Sequence, residues 1–377
     1  MPKLDPDLYG ARLLGRPLRE LPKVSLHDHL DGGVRPATVF ELATAAGIAV
    51  PASDAAGLAH WFSDDLPEGT LEEYLERFEL VLAVMQTRES LERIAREFVA
   101  DLVLDGVIYA EVRWAPEQHQ RQGLSLDEAV EAVQTGFALG ESDAAAAGRE
   151  IRVTQLISAM RQGDRSLEIA ELAVRQRDGE APGGVVGFDI AGPEKGFPPS
   201  DHRAAFDYLA AHFVPVTVHA GEGDGLDSVR SALIDGRALR LGHGVRLMED
   251  IVAVDAAGDE LFLTLGEVAQ WVHDREIPLE LSPTSNVQTR AFAQWGEGLD
   301  EHPFDRLYQL GFAVTVNVDN RTMSRTTLTR ELGLLADAFD YDLDDLEEFQ
   351  LNAAAAAFLP VEQREELIEL IAEGFAR

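Results

Sequence analysis

Two histidines stand two residues apart in the segment SLHDHLDGG, where a β-rich run from Lys23 to Leu30 ends. In a β-strand, residues i and i+2 point to the same side, so the imidazoles of His27 and His29 are expected to face one space. A lone histidine in a strand is usually a hydrogen-bonded core residue. The pair at a strand end, however, indicates a ligand site.

Polar side chains follow three other β-rich runs. The segment TVHAGEG places His219 at the end of one run and Glu222 in the glycine-rich turn after it. The segment LGHG presents His243, and TVNVDNR presents Asp319 and Asn320. If these runs are strands of one barrel, their carboxyl ends meet at the face where barrel active sites lie. The motifs therefore predict a single shared site.

Three histidines and one carboxylate form a nitrogen and oxygen donor set that suits zinc or another first-row divalent ion. The chain has no cysteine, which excludes disulfides, thiolate ligands and the zinc deaminases that use a C-x-x-C pair. A metal here would lower the pKa of bound water toward about 7. Glu222 is then a candidate acid, because a partly desolvated carboxyl can keep its proton, and His243 could orient the hydroxide.

Other catalytic motifs have no support in the sequence. Gly221, Gly223 and Gly225 follow a strand, but their spacing is not G-x-G-x-x-G. The chain contains no G-x-S-x-G elbow, Walker loop or H-E-x-x-H motif. Dinucleotide-binding, serine hydrolase, P-loop and zincin classes are therefore disfavoured.

Eight β-rich runs recur along the chain, and stretches of helical period separate them. Alternation of this kind predicts an α/β protein. A (β/α)8 TIM barrel is the preferred fold, and a doubly wound open sheet is the competitor. The runs are Lys23 to Leu30, Val107 to Trp114, Ile151 to Met160, Val185 to Ile190, Val214 to His219, Leu239 to Val245, Ile277 to Ser282 and Phe312 to Val318.

Two segments exceed an ordinary crossover. Residues 38–85 carry several helical patterns between the first two strands, which predicts an inserted helical lid after strand 1. After strand 6, the stretch from Ile251 to Leu263 has apolar residues on both sides of Ala257-Gly258-Asp259, which predicts a small β-hairpin.

Two capping boxes, Thr70 with Glu73 and Ser125 with Glu128, predict helix starts. The sequence shows no internal repeat, low-complexity linker or charge block that would divide it. Residues 1–377 are therefore expected to form a single domain.

The formal net charge is -35, and the acidic residues are spread along the chain. Such a surface repels nucleic acid and anionic membranes, so neither is an expected partner. The start, MPKLDPDLYG, lacks the apolar region of a signal peptide, and no apolar stretch of about 18 residues occurs. A cytoplasmic location is expected, and the oligomeric state stays open.

These motifs resemble, in type and in order, those of the adenosine deaminase family, metal-dependent purine deaminases of the amidohydrolase superfamily. SLHDHLDGG resembles the family's first-strand H-x-H-L-D-G, and GFDIAG its fourth-strand motif. TVHAGE, LGHG, LELSPTSN, VDN and the closing LNAAAAAF follow in the family's order. The resemblance runs from Leu21 to about Phe358, and its H-x-H and H-A-G-E motifs are highly specific.

The resemblance implies one zinc ion per chain, with ligands His27, His29, His219 and Asp319. It implies that Glu222 donates a proton to purine N1, while His243 and Asp319 position a zinc-bound hydroxide for attack on C6.

The resemblance also implies a set of substrate contacts. Gly192 would offer its backbone N–H to purine N3, and Asp31 would hold the ribose 5′ hydroxyl, with His29 and Asn320 beside the substrate. Two positions depart from the family pattern. Asn320 stands where many members have a second aspartate that contacts N7, and Ser282 stands where a cysteine is common.

The function implied is hydrolysis of adenosine and deoxyadenosine to inosine plus ammonia, with a purine nucleoside as the small-molecule partner. Adenine or another 6-aminopurine is the alternative substrate for the same machinery. A catalytically silent nucleoside-binding barrel is the alternative of a different class, and it is disfavoured because Glu222 and all the metal ligands are present.

Overall fold

The computed structural model describes residues 5–63, 71–255 and 261–376. It contains all eight predicted strands, whose β-branched and aromatic residues suit a buried pleated surface, as in VIYAEVRW. In chain order, β1 to β8 are Lys23–His29, Val107–Trp114, Arg152–Met160, Val185–Ala191, Thr217–Ala220, Arg240–His243, Leu279–Leu281 and Val314–Val316.

The strands form a closed parallel ring. Strands β1 to β4 pair in sequence order in one sheet, and β5 to β8 do so in a second. Isolated parallel bridges join the sheets on both sides, one between Phe188 and Val216 and one between Asp28 and Asp319. Parallel strands in sequence order whose first and last members are bridged make a (β/α)8 barrel, so the barrel prediction is confirmed and the open sheet is excluded.

The predicted strands of the second half are longer than the observed ones. The run from Val214 shortens to Thr217–Ala220, and the run from Phe312 to Val318 shortens to Val314–Val316. The flanking apolar residues Val214, Phe312 and Val318 are buried all the same, which is why hydropathy alone extended these two strands. As a consequence, Asp319 lies on the loop beyond β8.

Several helices contact the barrel strands, among them Arg88–Leu104, Ser166–Arg175 and Leu343–Ala356. The Ser125 capping box is confirmed: its hydroxyl accepts from Glu128 N–H at 3.2 Å, and the Glu128 carboxylate accepts from Ser125 N–H at 2.9 Å. The other box involves Thr70, which lies outside the described residues. In chain order, α1 to α15 are Pro6–Tyr9, Pro36–Ala46, Ala55–Ser63, Leu71–Val84, Arg88–Leu104, Leu126–Ala146, Ser166–Arg175, Arg203–Ala211, Leu226–Ile234, Glu267–Asp274, Pro283–Gln288, Phe304–Gln309, Leu328–Phe339, Leu343–Ala356 and Val361–Ala376.

Both predicted insertions are present. Helices α2, α3 and α4 lie between β1 and α5, where the helical insertion was predicted. After β6, Ile251–Asp255 pairs antiparallel with Leu261–Leu265, as the predicted hairpin requires, although its turn at 257–259 lies outside the described residues. A second short hairpin, Arg12–Leu13 with Arg16–Pro17, was not predicted. Among the helices of the described residues, none is both long and apolar enough to cross a bilayer.

Candidate active site

The predicted metal ligands meet at the carboxyl ends of the barrel strands. His29 Nε2 lies 3.3 Å from His219 Nε2 and 3.2 Å from Asp319 Oδ1. His27 Nε2 lies 3.5 Å from the same carboxylate oxygen. None of the four side chains is more than 13% exposed. Strands β1 and β5 and the loop after β8 therefore bring the predicted donors to one buried point.

His243, at the end of β6, belongs to the same cluster. One ligand atom each from His27, His219, His243 and Asp319 lie within 4.8 Å of one another, a group that could hold a metal ion. This group and the predicted ligand set share three side chains and differ in whether His243 or His29 supplies the fourth donor. Both sets have the imidazole and carboxylate donors that zinc takes.

Carboxylates behind the cluster orient two of the imidazoles. Nδ1 of His219 donates to Asp189 Oδ2 at 2.9 Å, and Nδ1 of His27 donates to Glu280 Oε2 at 3.1 Å. A neutral imidazole with its proton on Nδ1 presents the lone pair of Nε2 to the site. Within the described part of the chain, the buried Nε2 of His27 makes no hydrogen bond. A metal cation would satisfy this orphaned lone pair.

The electrostatics of the cluster favour a bound cation. Burial lowers the pKa of His29, His219 and His243, so these imidazoles are neutral, the form that binds metals. Burial and the Arg113 charge oppose a proton on His27, but the neighbouring carboxylates Asp319 and Glu280 outweigh both and raise its pKa. The cluster thus attracts positive charge to the point where the ligand atoms converge.

Glu222 stands at the edge of the cluster, with Oε2 3.3 Å from His243 Nε2. Burial, reinforced by the charge of Asp319, raises the pKa of the Glu222 carboxyl to about 8. The carboxyl is therefore mainly protonated at neutral pH and can donate a proton. This agrees with its predicted role as an acid, which stays a prediction.

The backbone is in a sparsely populated conformation at two residues of the cluster. His243 has φ of 62° and Asp319 has φ of 58°, in the left-handed region that side chains disfavour. Outliers of this type gather where the surrounding structure fixes them for function. The Ser285 hydroxyl, which donates to Asp319 Oδ2 at 2.6 Å, is one such fixing contact.

A cavity of about 260 Å³ opens above the cluster. The predicted substrate contacts Asp31, Gly192 and Asn320 all line it, as does His29. Burial raises the pKa of Asp31 to about 6. Apolar side chains complete the wall, and they are Phe78, Leu82, Trp114, Ala115, Met160, Ala191 and Pro193.

The two departures from the family pattern lie in or near this wall. In the described structure the Oδ1 atom of Asn320 and the hydroxyl of Ser282 are buried and have no hydrogen-bond partner. The backbone of residue 320 is close to Gly32, where an added Cβ would come within 2.1 Å of Asn320 Oδ1. Glycine at position 32 therefore leaves room for the Asn320 amide.

Four side chains that support the cluster escaped the sequence prediction of the site: Asp189, Glu280, Glu194 and Ser285. Asp189 and Glu280 are charged residues inside otherwise apolar strands, and both are fully buried. That unusual placement is the signal that could have identified them, because buried carboxylates need partners. Glu194 lies in a loop and Ser285 in the short helix α11, and neither left a comparable signal.

An eight-stranded barrel with imidazoles and a carboxylate converging at the strand ends defines a metal-dependent barrel hydrolase. The family model described as adenosine deaminase matches residues 22–374. The chain therefore belongs to the adenosine deaminase family, as the motifs predicted.

Relatives agree with this assignment. An adenosine deaminase of Mycolicibacterium vanbaalenii is 51% identical over 353 residues, 93% of this chain and 94% of the relative. The crystal structure of an arabidopsis N6-mAMP deaminase is similar, with TM-score 0.78 and 26% identity over 94% of this chain and 99% of that chain. An amidohydrolase from Burkholderia ambifaria with bound Zn has the same fold, with TM-score 0.79 and 23% identity over 99% of this chain and 98% of that one.

Proposed function

We propose that this protein is a zinc-dependent hydrolase that converts adenosine and deoxyadenosine to the corresponding inosines and ammonia. The observation that carries the proposal is Glu222, a carboxyl kept protonated at neutral pH and 3.3 Å from His243 in the wall of a purine-sized cavity. Membership of the adenosine deaminase family and the adjacent metal-type cluster support it.

The residues present fit one zinc ion. The neutral imidazoles of His29 and His219, a buried carboxylate and an orphaned nitrogen on His27 form a donor set of the kind that zinc takes. We assign His27, His29, His219 and Asp319 as its ligands. When bound, zinc acts as a Lewis acid that yields a hydroxide nucleophile near neutral pH.

Glu222 supplies the acid catalysis. Its proton goes to purine N1, which draws electron density away from C6 and opens that carbon to attack by the oxygen of water. The bond from C6 to the amino nitrogen then breaks, and this nitrogen takes one proton of the attacking water and leaves as ammonia. The proton on N1 stays with the product, and the second proton of the water returns to Glu222. One water is consumed for each ammonia released, and Glu222 ends the cycle protonated.

Three groups of the cavity wall would position the nucleoside. Asp31 would accept a hydrogen bond from the ribose 5′ hydroxyl. The backbone N–H of Gly192 would donate to N3, and its φ of 101° requires glycine at this position. The Asn320 amide would donate to N7, which is an acceptor, without any change of protonation.

The charges of the cavity favour a nucleoside over a nucleotide. Among the described residues that line the cavity there is no lysine or arginine, whereas Asp31 and Glu79 are both present. A phosphate monoester dianion placed near Asp31 would meet a carboxylate with no compensating cation. We infer that phosphorylation at the 5′ position abolishes productive binding.

A panel of substrates tests this proposal by the loss of absorbance on deamination. Adenosine and deoxyadenosine are expected to react with kcat/KM at least about 100-fold above adenine and AMP, since each alternative loses or opposes the Asp31 contact. The 7-deaza analogue of adenosine, which lacks the N7 acceptor, should also react more slowly. Adenine or AMP as the best substrate would refute the nucleoside assignment, and an equal rate for the 7-deaza analogue would remove Asn320 from the contacts.

A further inference from the structure

His243 occupies a position that is compatible with two different roles. Its ligand atoms are close enough to His27, His219 and Asp319 for it to be a metal ligand. Its Nε2 also lies 3.3 Å from Glu222 Oε2, which suits a hydrogen-bond donor. The two roles require opposite tautomers, because a ligand needs a lone pair on Nε2 and a donor needs a proton there.

A chain of hydrogen bonds behind His243 decides between the tautomers. The backbone N–H of Phe304 donates to Nδ1 of His302 at 2.9 Å, which leaves the proton of this neutral ring on Nε2. That Nε2–H donates to Asn286 Oδ1 at 3.2 Å. The Asn286 Nδ2 group then donates to His243 Nδ1 at 2.9 Å. All four residues are buried, so the chain excludes competing water donors and acceptors.

The hydrogen bonds from Phe304 to His243 can be donated in only one direction. Backbone N–H groups can only donate, and two of them fix the network. Phe304 N–H donates to His302 Nδ1, and Ser282 N–H lies 3.4 Å from Asn286 Oδ1. If the Asn286 amide were flipped, its NH2 group would face the Ser282 N–H. The NH2 group would also face His302 Nε2, which would then have to accept a hydrogen bond. The ring proton of His302 would have to lie on Nδ1, where it would oppose the Phe304 N–H.

We infer that Asn286 and His302 are positioning residues that hold His243 in the Nε2–H tautomer, so that His243 serves the site as a hydrogen-bond donor and not as a metal ligand. The contrast with the neighbouring imidazoles is chemical. Carboxylates accept from Nδ1 of His27 and His219 and leave Nε2 free for a metal, whereas an amide NH2 donates to Nδ1 of His243.

This assignment selects between the two donor sets. With His243 excluded, the fourth donor is His29, whose Nε2 is 3.2 Å from Asp319 Oδ1 and 3.3 Å from His219 Nε2. The catalytic part of the inference rests on the proposed function: the Nε2–H of His243 donates to the oxygen that attacks C6. Because Nδ1 is already bonded to Asn286, the ring performs this task in its neutral form.

Nitrogen NMR of protein carrying 15N-histidine tests the tautomer directly, with His243→Gln to assign the resonances. We expect His243 to show a protonated Nε2 and an unprotonated Nδ1 in the zinc-free protein, and zinc to shift the Nε2 resonances of His27, His29 and His219 but not to bind Nε2 of His243. A protonated Nδ1, or a metal-bound Nε2, on His243 in the native protein would overturn the inference.

The variant Asn286→Asp keeps the shape of the side chain but reverses its hydrogen bond to His243 Nδ1, because a carboxylate can only accept. We expect His243 to switch to the Nδ1–H tautomer, and kcat to fall about 10–100-fold with little change in KM, the loss of one preorganised donor. The charge control is Gln350→Glu, at a buried amide that accepts from Val24 N–H and hydrogen-bonds to no histidine among the described residues. It should keep the native tautomer and kcat.

The outcomes separate this inference from the proposed function. A native Nε2–H tautomer in a protein that does not deaminate adenosine would refute the function and leave the assignment of His243 intact. A native Nδ1–H tautomer in an active deaminase would do the reverse. If Asn286→Asp does not fold, the NMR measurement on native protein decides alone, and a folded variant with unchanged tautomer contradicts the role of Asn286.

Discussion

Glu222 is the residue on which the proposed chemistry most directly depends, because it must be protonated to activate the purine. Burial and the Asp319 charge keep its pKa near 8, so the active form dominates at neutral pH. The sequence could identify Glu222 from H-A-G-E at a strand end. The raised pKa could not be read from the sequence, because it depends on Asp319, which is 97 positions away in the chain.

The variant Glu222→Gln should keep the fold and the zinc but lose about 10²–10⁴-fold in kcat, the usual contribution of a positioned acid. In the native enzyme, kcat/KM should fall as the pH rises through about 8, because deprotonation removes the donor. Zinc content and circular dichroism of the variant are the controls. A loss of less than tenfold would mean that the proton comes from another group.

The metal ligands show what residue spacing can and cannot predict. The H-x-H pair placed His27 and His29 on one side of β1, as the structure has them. The choice of His29 over His243 as a ligand came from the family resemblance and not from residue spacing, because the difference lies in which atoms contact the far side of a ring. Those partners come from other strands and from helix α11, and they are Glu280, Asp189 and Asn286.

At the scale of elements, the turn after β5 is held by one carboxylate from the loop after β4. The oxygens of Glu194 accept from the backbone N–H groups of Gly221 at 2.6 Å, Glu222 at 3.0 Å and Gly223 at 2.7 Å. Three donors converging on one carboxylate fix the backbone from which the Glu222 side chain projects. The glycine-rich sequence predicted a turn here, but not the carboxylate that fixes it.

The variant Glu194→Gln should therefore affect both stability and catalysis. Glutamine keeps one acceptor oxygen and places an NH2 group against backbone donors, which should cost about 1–3 kcal/mol of unfolding free energy. Because the turn carries Glu222, kcat should also fall by roughly tenfold or more. A tenfold loss corresponds to about 1.4 kcal/mol of activation free energy. Denaturant unfolding and steady-state kinetics measure the two effects.

The matched control is Glu141→Gln, since Glu141 also accepts a backbone N–H, that of Val153 at 2.7 Å, but lies on α6 away from the site. It should lose some stability and keep the native kcat. Equal kcat in both variants would show that the turn holds Glu222 without help from Glu194.

The helical insertion belongs to the same scale. The residues Phe78 and Leu82 of α4 line the cavity, so the insertion supplies part of its apolar wall. Helical periodicity predicted its presence. The strand lengths in the second half of the barrel were overestimated because buried loop residues such as Val214 and Phe312 are as apolar as the strands they flank.

At the scale of the whole molecule, one contiguous cluster of buried apolar residues extends from Leu18 to Phe375. We propose on this basis that the chain forms a single domain around the barrel. The alternation of strands and helices predicted the barrel but left a doubly wound open sheet as the competitor, because alternation does not show whether the first and last strands pair. The two isolated bridges that complete the ring involve loop backbone and left no pattern in the sequence.

Zinc is expected to stabilise the whole barrel, because its ligands come from β1, β5 and the loop that follows β8. In addition, Asp319, Asp189 and Glu280 bring buried negative charge to the cluster. A cation bound only by the folded state adds RT ln(1 + [Zn]/Kd), about 4 kcal/mol when free zinc exceeds Kd a thousandfold. Removing the metal should therefore lower the melting temperature reversibly.

We expect elemental analysis to give one zinc per chain and calorimetry to show a melting temperature several degrees lower after chelation, restored by added zinc. The variant His219→Ala should lose the zinc, the zinc-dependent shift and the activity together. Its matched control is His119→Ala, a buried histidine outside the cluster whose ring is bonded to the Met85 carbonyl at 2.8 Å. That variant should be less stable but keep both zinc and the shift, because the lost contact is a packing and hydrogen-bond contact only. A metal bound by this cluster would be contradicted by full zinc content or full activity in His219→Ala. It would also be contradicted if chelation left the melting temperature of the native protein unchanged.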